Sequence, residues 1–172
     1  MPNWNYNSVK IYAPENQVKD YLVQKEDELV FNMHLLFPWR FPSSDPTGEA
    51  SWNYDWSVEN TGSKWYPDVY LHKNGPDEQI TYLSYDTARA PNNLTLQRLH
   101  EITGWMIVNE YEEAGMCFEG IFSCIKGNYI DDEREYHPSC EICEKKKSQD
   151  CYDEDADDMI CKLCRKEREA GD

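Results

Sequence analysis

Four cysteines near the C-terminal end of the sequence have the spacing of a zinc site. They form two CxxC pairs, Cys140–Cys143 and Cys161–Cys164, with seventeen residues between the pairs. A CxxC turn lets two thiolates reach one ion at about 2.3 Å, and two such turns complete a tetrahedron. A closed four-sulfur site leaves no position for water, so the ion would be structural and not catalytic. We therefore predict a structural Zn²⁺ ion bound by Cys140, Cys143, Cys161 and Cys164.

Two further residues leave the ligand set open. His137 precedes the first pair by three residues, and Cys151 lies between the two pairs. Either side chain could replace one of the four cysteines. Unligated thiols and an iron–sulfur cluster are the remaining interpretations. Zinc fits best because the segment has few apolar residues, and a structural ion supplies roughly 10 kcal/mol or more of folding free energy to such modules.

The chain is strongly acidic, with a net charge of -16 and a pI near 4.5. Such a surface repels nucleic-acid phosphates, which disfavours general DNA or RNA binding. It suits a basic partner protein, and it could mimic the charge of DNA toward a DNA-binding protein. The alternative is that the acidity only keeps the protein soluble. Nucleic-acid binding through the zinc module and Lys145–Lys147 is a further alternative, which the overall charge opposes.

The sequence also predicts the compartment. No stretch approaches the roughly 18 consecutive apolar residues of a membrane helix, and the opening MPNWNYNSVK lacks the apolar segment of a signal peptide. We therefore expect a cytoplasmic protein. Seven cysteines without a secretion signal argue against a disulfide framework. Cys117 and Cys124 are predicted to be buried or half-buried thiols of one strand.

The hydrophobic periodicity predicts a mainly antiparallel sheet with two helices on one face. An Asn74-Gly75 turn joins two of the strands, Gly104 ends the second helix, and residues 38–64 form a long loop that could contain a short irregular strand or helix. Strands are predicted over 7–13, 29–37, 65–71, 79–85, 105–110 and 116–126, and helices over 14–25 and 91–103. The predicted fold class is thus α+β with a ferredoxin-like topology over residues 1–130, followed by an acidic zinc module over 131–172.

Five short segments occur in an order and at a spacing that resemble a known family. They are Met1-Pro2-Asn3-Trp4, Tyr54-Asp55-Trp56-Ser57 with Asn60, Gly62-Ser63-Lys64-Trp65, Asp86-Thr87-Ala88 before Ala90-Pro91, and the run from Tyr111 to Gly120. Through them residues 1–128 are similar to the YubB-type ferredoxin-like domain family of phages, plasmids and bacteria. The resemblance implies a fold and a mobile-element setting; it does not imply an iron–sulfur cluster, and it carries no activity. The chain departs from the family pattern at Arg89-Ala90-Pro91, where an aromatic-Ser-Pro-Pro run is usual, and in its cysteine-rich tail.

The aromatic residues of segment 39–66 are candidates for binding. Aromatic rings with interspersed polar groups can hold a small ligand, a nucleotide, a peptide or a partner protein, and a long loop is often functional. The alternative is that these rings only close the core. The candidate residues are Trp52, Tyr54, Trp56, Asn60, Lys64 and Trp65.

Motifs for catalysis are missing from the sequence. No nucleophile–base pair or phosphate loop is visible. Glu112, Glu113 and Glu119 lie near one hairpin, where paired carboxylates could do acid–base work, but acidic surface residues are common in this chain and the alternative is that these three belong to them. An enzyme or small-ligand protein working at segment 39–66 is therefore the second hypothesis. The first is a non-enzymatic, zinc-containing binding protein of a phage or other mobile element. It would engage a basic or DNA-binding host protein in the bacterial cytoplasm, for host takeover or counter-defence.

Overall fold

A computed structural model describes residues 4–72 and 78–135, which form a single antiparallel sheet of eight strands. The strands are β1 (Trp4–Ile11), β2 (Leu22–Lys25), β3 (Glu28–Phe31), β4 (Asp68–His72), β5 (Thr81–Ala88), β6 (Ile107–Glu113), β7 (Phe118–Ile125) and β8 (Asn128–Glu135). The helices of these residues are α1 (Glu15–Lys19), α2 (Met33–Leu36), α3 (Tyr54–Thr61) and α4 (Asn93–Thr103). Across the sheet the strands follow the order β2-β3-β4-β5-β1-β6-β7-β8.

The predicted fold class, a ferredoxin-like α+β arrangement with two helices, is wrong. The described residues are mostly β, with every strand in one antiparallel sheet and with helices of only four to eleven residues. The prediction failed because the predicted helix over 14–25 and the predicted strand over 29–37 each divide into a strand and a helix. That division adds a hairpin, β2–β3, at one edge of the sheet.

The predicted first helix ends early because its apolar stripe is shared by two elements. Val18 reaches the core from α1, whereas Leu22 reaches it as the first residue of β2. Glu26, with a φ of 51°, turns the chain back so that Val23 lies opposite Val30. A pair of β-branched residues facing each other across two strands favours the sheet over another turn of helix.

The predicted second strand ends at Phe31, where Asn32 starts a single turn of helix. The Asn32 side chain accepts a hydrogen bond from the backbone N–H of Leu35 at 3.1 Å, as a helix N-cap does. Met33 and Leu36 enter the core from this turn. A run of apolar residues therefore serves both a strand and a helix, which its composition alone does not distinguish.

Other predicted elements are confirmed. The first strand is β1, and the second helix is α4, which ends at Gly104 in the left-handed conformation with a φ of 73°. Asn92 occupies the N-cap position of α4, but its side chain accepts from the Tyr85 hydroxyl at 2.8 Å instead of capping the helix. β4 and β5 pair as the predicted hairpin, whose Asn74-Gly75 turn lies outside the described residues.

One face of the sheet carries the core. Alternate residues of the strands are buried there against the helices, and α4 packs on it through Leu96 and Leu99. The fully buried apolar side chains include Val9, Ile11, Phe31, Met33, Leu36, Phe41, Leu83, Leu96, Leu99 and Ile107. The side chains between them in the sequence lie on the opposite face. No helix of the described residues is both long and apolar enough to span a membrane.

Candidate functional site

The predicted zinc ligands lie outside the described residues. This applies to Cys140, Cys143, Cys161 and Cys164 and to the alternative ligands His137 and Cys151. Within residues 4–72 and 78–135, no group of three or more His, Cys, Asp or Glu side chains is arranged to hold a metal ion. The zinc site therefore stays a prediction.

The predicted aromatic site divides into an inner and an outer part. Asn53 caps α3 by accepting from the Trp56 N–H at 3.0 Å, and the Trp56 ring packs against the core. The ring meets those of Phe37 and Phe41 edge to face, with centroids 5.2 and 5.0 Å away. The Asn60 side chain donates to the Trp56 carbonyl at 2.9 Å. Trp56 thus packs the helix against the core, whereas the Asn60 side chain bonds within the helix itself.

The other four predicted residues meet at the surface. The Trp52 indole N–H donates to the Lys64 carbonyl at 3.1 Å. The Lys64 ammonium lies 4.3 Å from the ring centroid of Trp65 and 5.7 Å from that of Tyr54, within cation–π range. Trp4 joins them, with its ring 6.2 Å from that of Trp65. Trp4 was not predicted to belong to this group, because it comes from the start of the chain and only β1 brings it there.

A second candidate surface is the face of the sheet opposite the core, which we call the open face. On β1 it carries Tyr6, and on β7 and β8 it carries Ile121 and Ile130; these three side chains are between 51 and 59 % exposed. A helix or loop packed over this face would leave these three side chains with much less exposed area. The described residues therefore leave this face open to solvent.

A groove of about 510 Å³ runs along the open face over β1, β6, β7 and β8. The strand register sets its two rows: Tyr6 lies opposite Glu112, which lies opposite Glu119, and Ser8 lies opposite Glu110, which lies opposite Ile121. The side chains that line the groove are those of Tyr6, Ser8, Glu110, Glu112, Glu119, Ile121, Asp132 and Arg134.

The groove is electrostatically negative. Four carboxylates line it against one guanidinium, that of Arg134. Arg134 forms an ion pair with Glu119, and Glu110 lies 3.6 Å from the ammonium of Lys10. Since these pairs are at the surface, each contributes at most about 1 kcal/mol and is screened by salt. The groove is suited to a cationic group and repels an anionic one.

Strand β8 completes the groove, and a hydrogen-bond network on the opposite face anchors it. The Tyr111 hydroxyl donates to a carboxylate oxygen of Asp131 at 2.6 Å, and the Asn93 amide donates to the other oxygen at 3.0 Å. Burial of the ring, then the Asp131 and Glu133 carboxylates, raise the pKa of Tyr111, so its hydroxyl stays a donor. The strand was not predicted, since all its residues are exposed, and it runs across residue 130, where we placed the domain boundary.

The three carboxylates considered for acid–base chemistry do not come together. Glu112 and Glu119 lie opposite each other on the open face. Glu113 points to the core side, where it is 1 % exposed and accepts the Gly115 N–H at 2.9 Å. Successive side chains of a strand point to opposite faces of the sheet, so Glu112 and Glu113 lie on opposite faces of β6. This alternation is the sequence signal that could have separated them.

Comparison with known proteins assigns no family. No family model and no curated protein matches the chain. Among solved structures, it is similar to the crystal structure of a protein api92 from Yersinia pseudotuberculosis, described with the family model DUF1281. The TM-score is 0.44 at 18 % sequence identity, over 61 % of this chain and 39 % of that chain. The match thus spans about two-fifths of that protein's length, and it identifies no function.

Proposed function

We propose that the chain is a non-enzymatic binding protein that engages a basic host protein through its open face. The observation that carries the proposal is the groove, in which the carboxylates of Glu110, Glu112, Glu119 and Asp132 face one guanidinium. The net charge of -16 extends the same sign over the molecule. The resemblance of residues 1–128 to YubB-type domains favours a phage or other mobile element as the source, and host takeover or counter-defence in the bacterial cytoplasm as the role.

The sheet suits this role because it fixes the charges in space. Alternate residues on a strand are about 6.6 Å apart, and neighbouring strands about 4.8 Å. The carboxylates therefore stand on a regular, hydrogen-bonded backbone, and no backbone segment has to become ordered when a partner binds. Such complementarity raises association rates and rejects acidic partners.

The groove also offers apolar contacts. Tyr6 and Ile121 are each 51 % exposed and lie among the carboxylates. The methylene groups of lysine and arginine can pack on such surfaces while the charged end reaches a carboxylate. A basic segment therefore fits better than an isolated small cation.

Mimicry of DNA is one form of the proposed function. A DNA-binding protein recognises regularly spaced phosphates largely through electrostatics, and rows of carboxylates on a rigid sheet offer a similar pattern. If the partner uses its DNA-binding surface, duplex DNA will compete with the chain for it.

The C-terminal module is part of the proposal. A structural Zn²⁺ ion held by Cys140, Cys143, Cys161 and Cys164 would fold a segment that has few apolar residues. The module would then add a second acidic surface.

The test compares affinity capture from a bacterial lysate by the full chain and by two charge variants. The open-face variant is Glu110→Gln, Glu112→Gln and Asp132→Asn. The control variant, Asp20→Asn, Glu59→Gln and Glu78→Gln, removes the same charge from exposed positions outside the groove. We expect the wild type and the control to capture a basic protein that the open-face variant loses, as read by quantitative mass spectrometry.

Two further conditions in the capture experiment, higher salt and added duplex DNA, identify the binding mode. Raising the ionic strength should weaken the capture, because exposed charges are screened within about 8 Å at physiological salt. Duplex DNA should release the partner if the chain mimics DNA. A capture profile that is the same for the open-face variant and the wild type would contradict the proposal.

A further inference from the structure

A pocket of about 370 Å³ lies at the other end of the sheet from the groove, between the end of β2, strands β3 and β4, and the segments before and after α3. Three aromatic side chains line it, those of Trp52, Trp65 and Tyr66, and we call it the aromatic pocket. Its volume falls within the range of small-molecule sites, about 300 to 1,000 Å³.

The walls of the aromatic pocket are held in place by the chain itself. The Trp52 indole is fixed by its hydrogen bond to the Lys64 carbonyl. The Asp45 carboxylate accepts the Ser51 N–H at 3.0 Å and so shapes the loop that carries Glu49. Gly48, with a φ of 75°, passes so close to Tyr66 that a Cβ there would lie 3.0 Å from the ring. A ligand would therefore meet a preorganised site.

The sign of the charge selects the ligand. Two carboxylates, those of Glu49 and Asp68, line the aromatic pocket together with one ammonium, that of Lys25. A net negative site attracts a cation and repels a phosphate or a carboxylate. Nucleotides are thereby disfavoured at this end of the molecule.

Aromatic rings of the same segment already hold cations. The Lys64 ammonium lies 4.3 Å from the ring centroid of Trp65, and the Arg98 guanidinium lies 4.8 Å from that of Trp39. The ring quadrupole attracts a positive charge over its face, most strongly for tryptophan. Lys64 already occupies part of the Trp65 ring surface, but Trp52 and Tyr66 line the same pocket, so a cation within it would meet more than one ring.

The position of Lys25 decides which kind of cation fits. Its ammonium lies 2.6 Å from a carboxylate oxygen of Glu49 and 4.0 Å from one of Asp68. A primary ammonium or a guanidinium binds chiefly by donating to carboxylates, so it would compete with Lys25. A quaternary ammonium has no N–H to donate, and it gains from ring faces and from the remaining negative field without displacing Lys25.

We propose that the aromatic pocket binds a quaternary methylammonium group. The proposal is independent of the open face and of the partner suggested for it. The same group occurs on free small molecules such as choline and on trimethylated lysine side chains of proteins. Both sources present one chemistry to the pocket, and the ligands of the test separate them.

The test is calorimetric titration of the full chain with four ligands. These are choline, a short neutral peptide with trimethyllysine, the same peptide with unmodified lysine, and the uncharged tert-butyl analogue of choline. We expect the methylated ligands to bind at least about fivefold more tightly than their unmethylated or uncharged counterparts. A preference for choline would identify a free molecule as the source, and a preference for the peptide would identify a protein side chain.

Variants locate the binding. Trp65→Leu and Asp68→Asn should each weaken binding about fivefold or more, whereas Trp39→Leu, outside the pocket lining, should leave it unchanged. Asp68 is exposed, so its variant keeps the test valid if the tryptophan variant fails to fold. The proposal is overturned if choline and the trimethyllysine peptide give no heat at millimolar concentration, if the uncharged analogue binds equally well, or if Trp39→Leu matches Trp65→Leu.

Discussion

The contact between Gly120 and Tyr111 shows how one residue type can hold an edge strand in place. Tyr111 lies opposite Gly120 in the pairing of β6 with β7, and Gly120 lies opposite Glu133 of β8. The tyrosine ring crosses β7 over the glycine and reaches Asp131. A Cβ on Gly120 would lie only 2.3 Å from the Tyr111 hydroxyl oxygen, so the tyrosine requires glycine at this position.

Gly120→Ala should therefore destabilise the protein by about 2–3 kcal/mol, because the added methyl displaces a packed ring and its hydrogen bond. Chemical denaturation measures this change in the free energy of unfolding. In a Tyr111→Leu background the ring and the clash are gone, so the same substitution should cost clearly less. Equal costs in the two backgrounds would show that the contact with Tyr111 is not the cause.

Buried phenols give the stability a dependence on alkaline pH. Burial raises the pKa of Tyr66 to about 12 and also raises that of Tyr85, whereas an unfolded tyrosine titrates near 10. A raised folded-state pKa adds stability that is fully present below the unfolded pKa and is lost as the pH rises through the folded one. The two tyrosines should therefore leave the free energy of unfolding unchanged up to about pH 9 and lower it from about pH 10 toward 12.

Tyr66→Phe tests this assignment. Phenylalanine cannot ionise, so the variant should lose less stability than the wild type between about pH 10 and 12. Urea denaturation at each pH provides the measurement. Superimposable pH profiles of the two proteins would mean that Tyr66 ionises in the folded state as freely as in the unfolded chain.

Among the elements, α3 is the one that positions the surface aromatic residues, and its N-cap is Asn53. Asn53→Ala should cost about 1 kcal/mol of stability, since the Trp56 N–H loses its acceptor. Asn53→Asp keeps an acceptor at the cap and should retain most of the stability. Thermal melts of the two variants compare them directly, and an aspartate variant as unstable as the alanine variant would argue against capping as the cause.

The elements that were predicted correctly keep a single hydrophobic period, that of a strand or that of a helix, over their whole length. β1 alternates over its whole length, and α4 has a helical stripe ended by a glycine. The predictions failed between residues 14 and 37, where apolar residues reach one core from a helix, a hairpin and another helix in turn. Strand β8 has no apolar alternation because both of its faces are exposed. The strand forms because it pairs with β7, and such pairing leaves no alternation of apolar and polar residues in the sequence of β8.

The candidate sites were predictable to a similar extent. Trp52, Tyr54, Lys64 and Trp65 were predicted from their types, and they do meet at the surface. The groove was not predicted, because its carboxylates come from three strands that only the sheet order brings together. Composition gave the sign of the charge, and topology decides where that charge is concentrated.

At the scale of the whole molecule, the sheet domain and the predicted zinc module should respond differently to loss of metal. The described residues bury a core of their own and contain no metal-ligating group of three, so a chelator should not lower their melting temperature. The segment with Cys140, Cys143, Cys161 and Cys164 has few apolar residues, so its folding should depend on the ion.

Elemental analysis should find about one zinc ion per chain. Cys143→Ser should remove that zinc while the main melting transition stays in place, and Cys151→Ser should retain it if Cys151 is not a ligand. Zinc-free wild-type protein, purified without chelator, would rule out the module as predicted, and a shift of the main transition on chelation would mean that the two parts fold together.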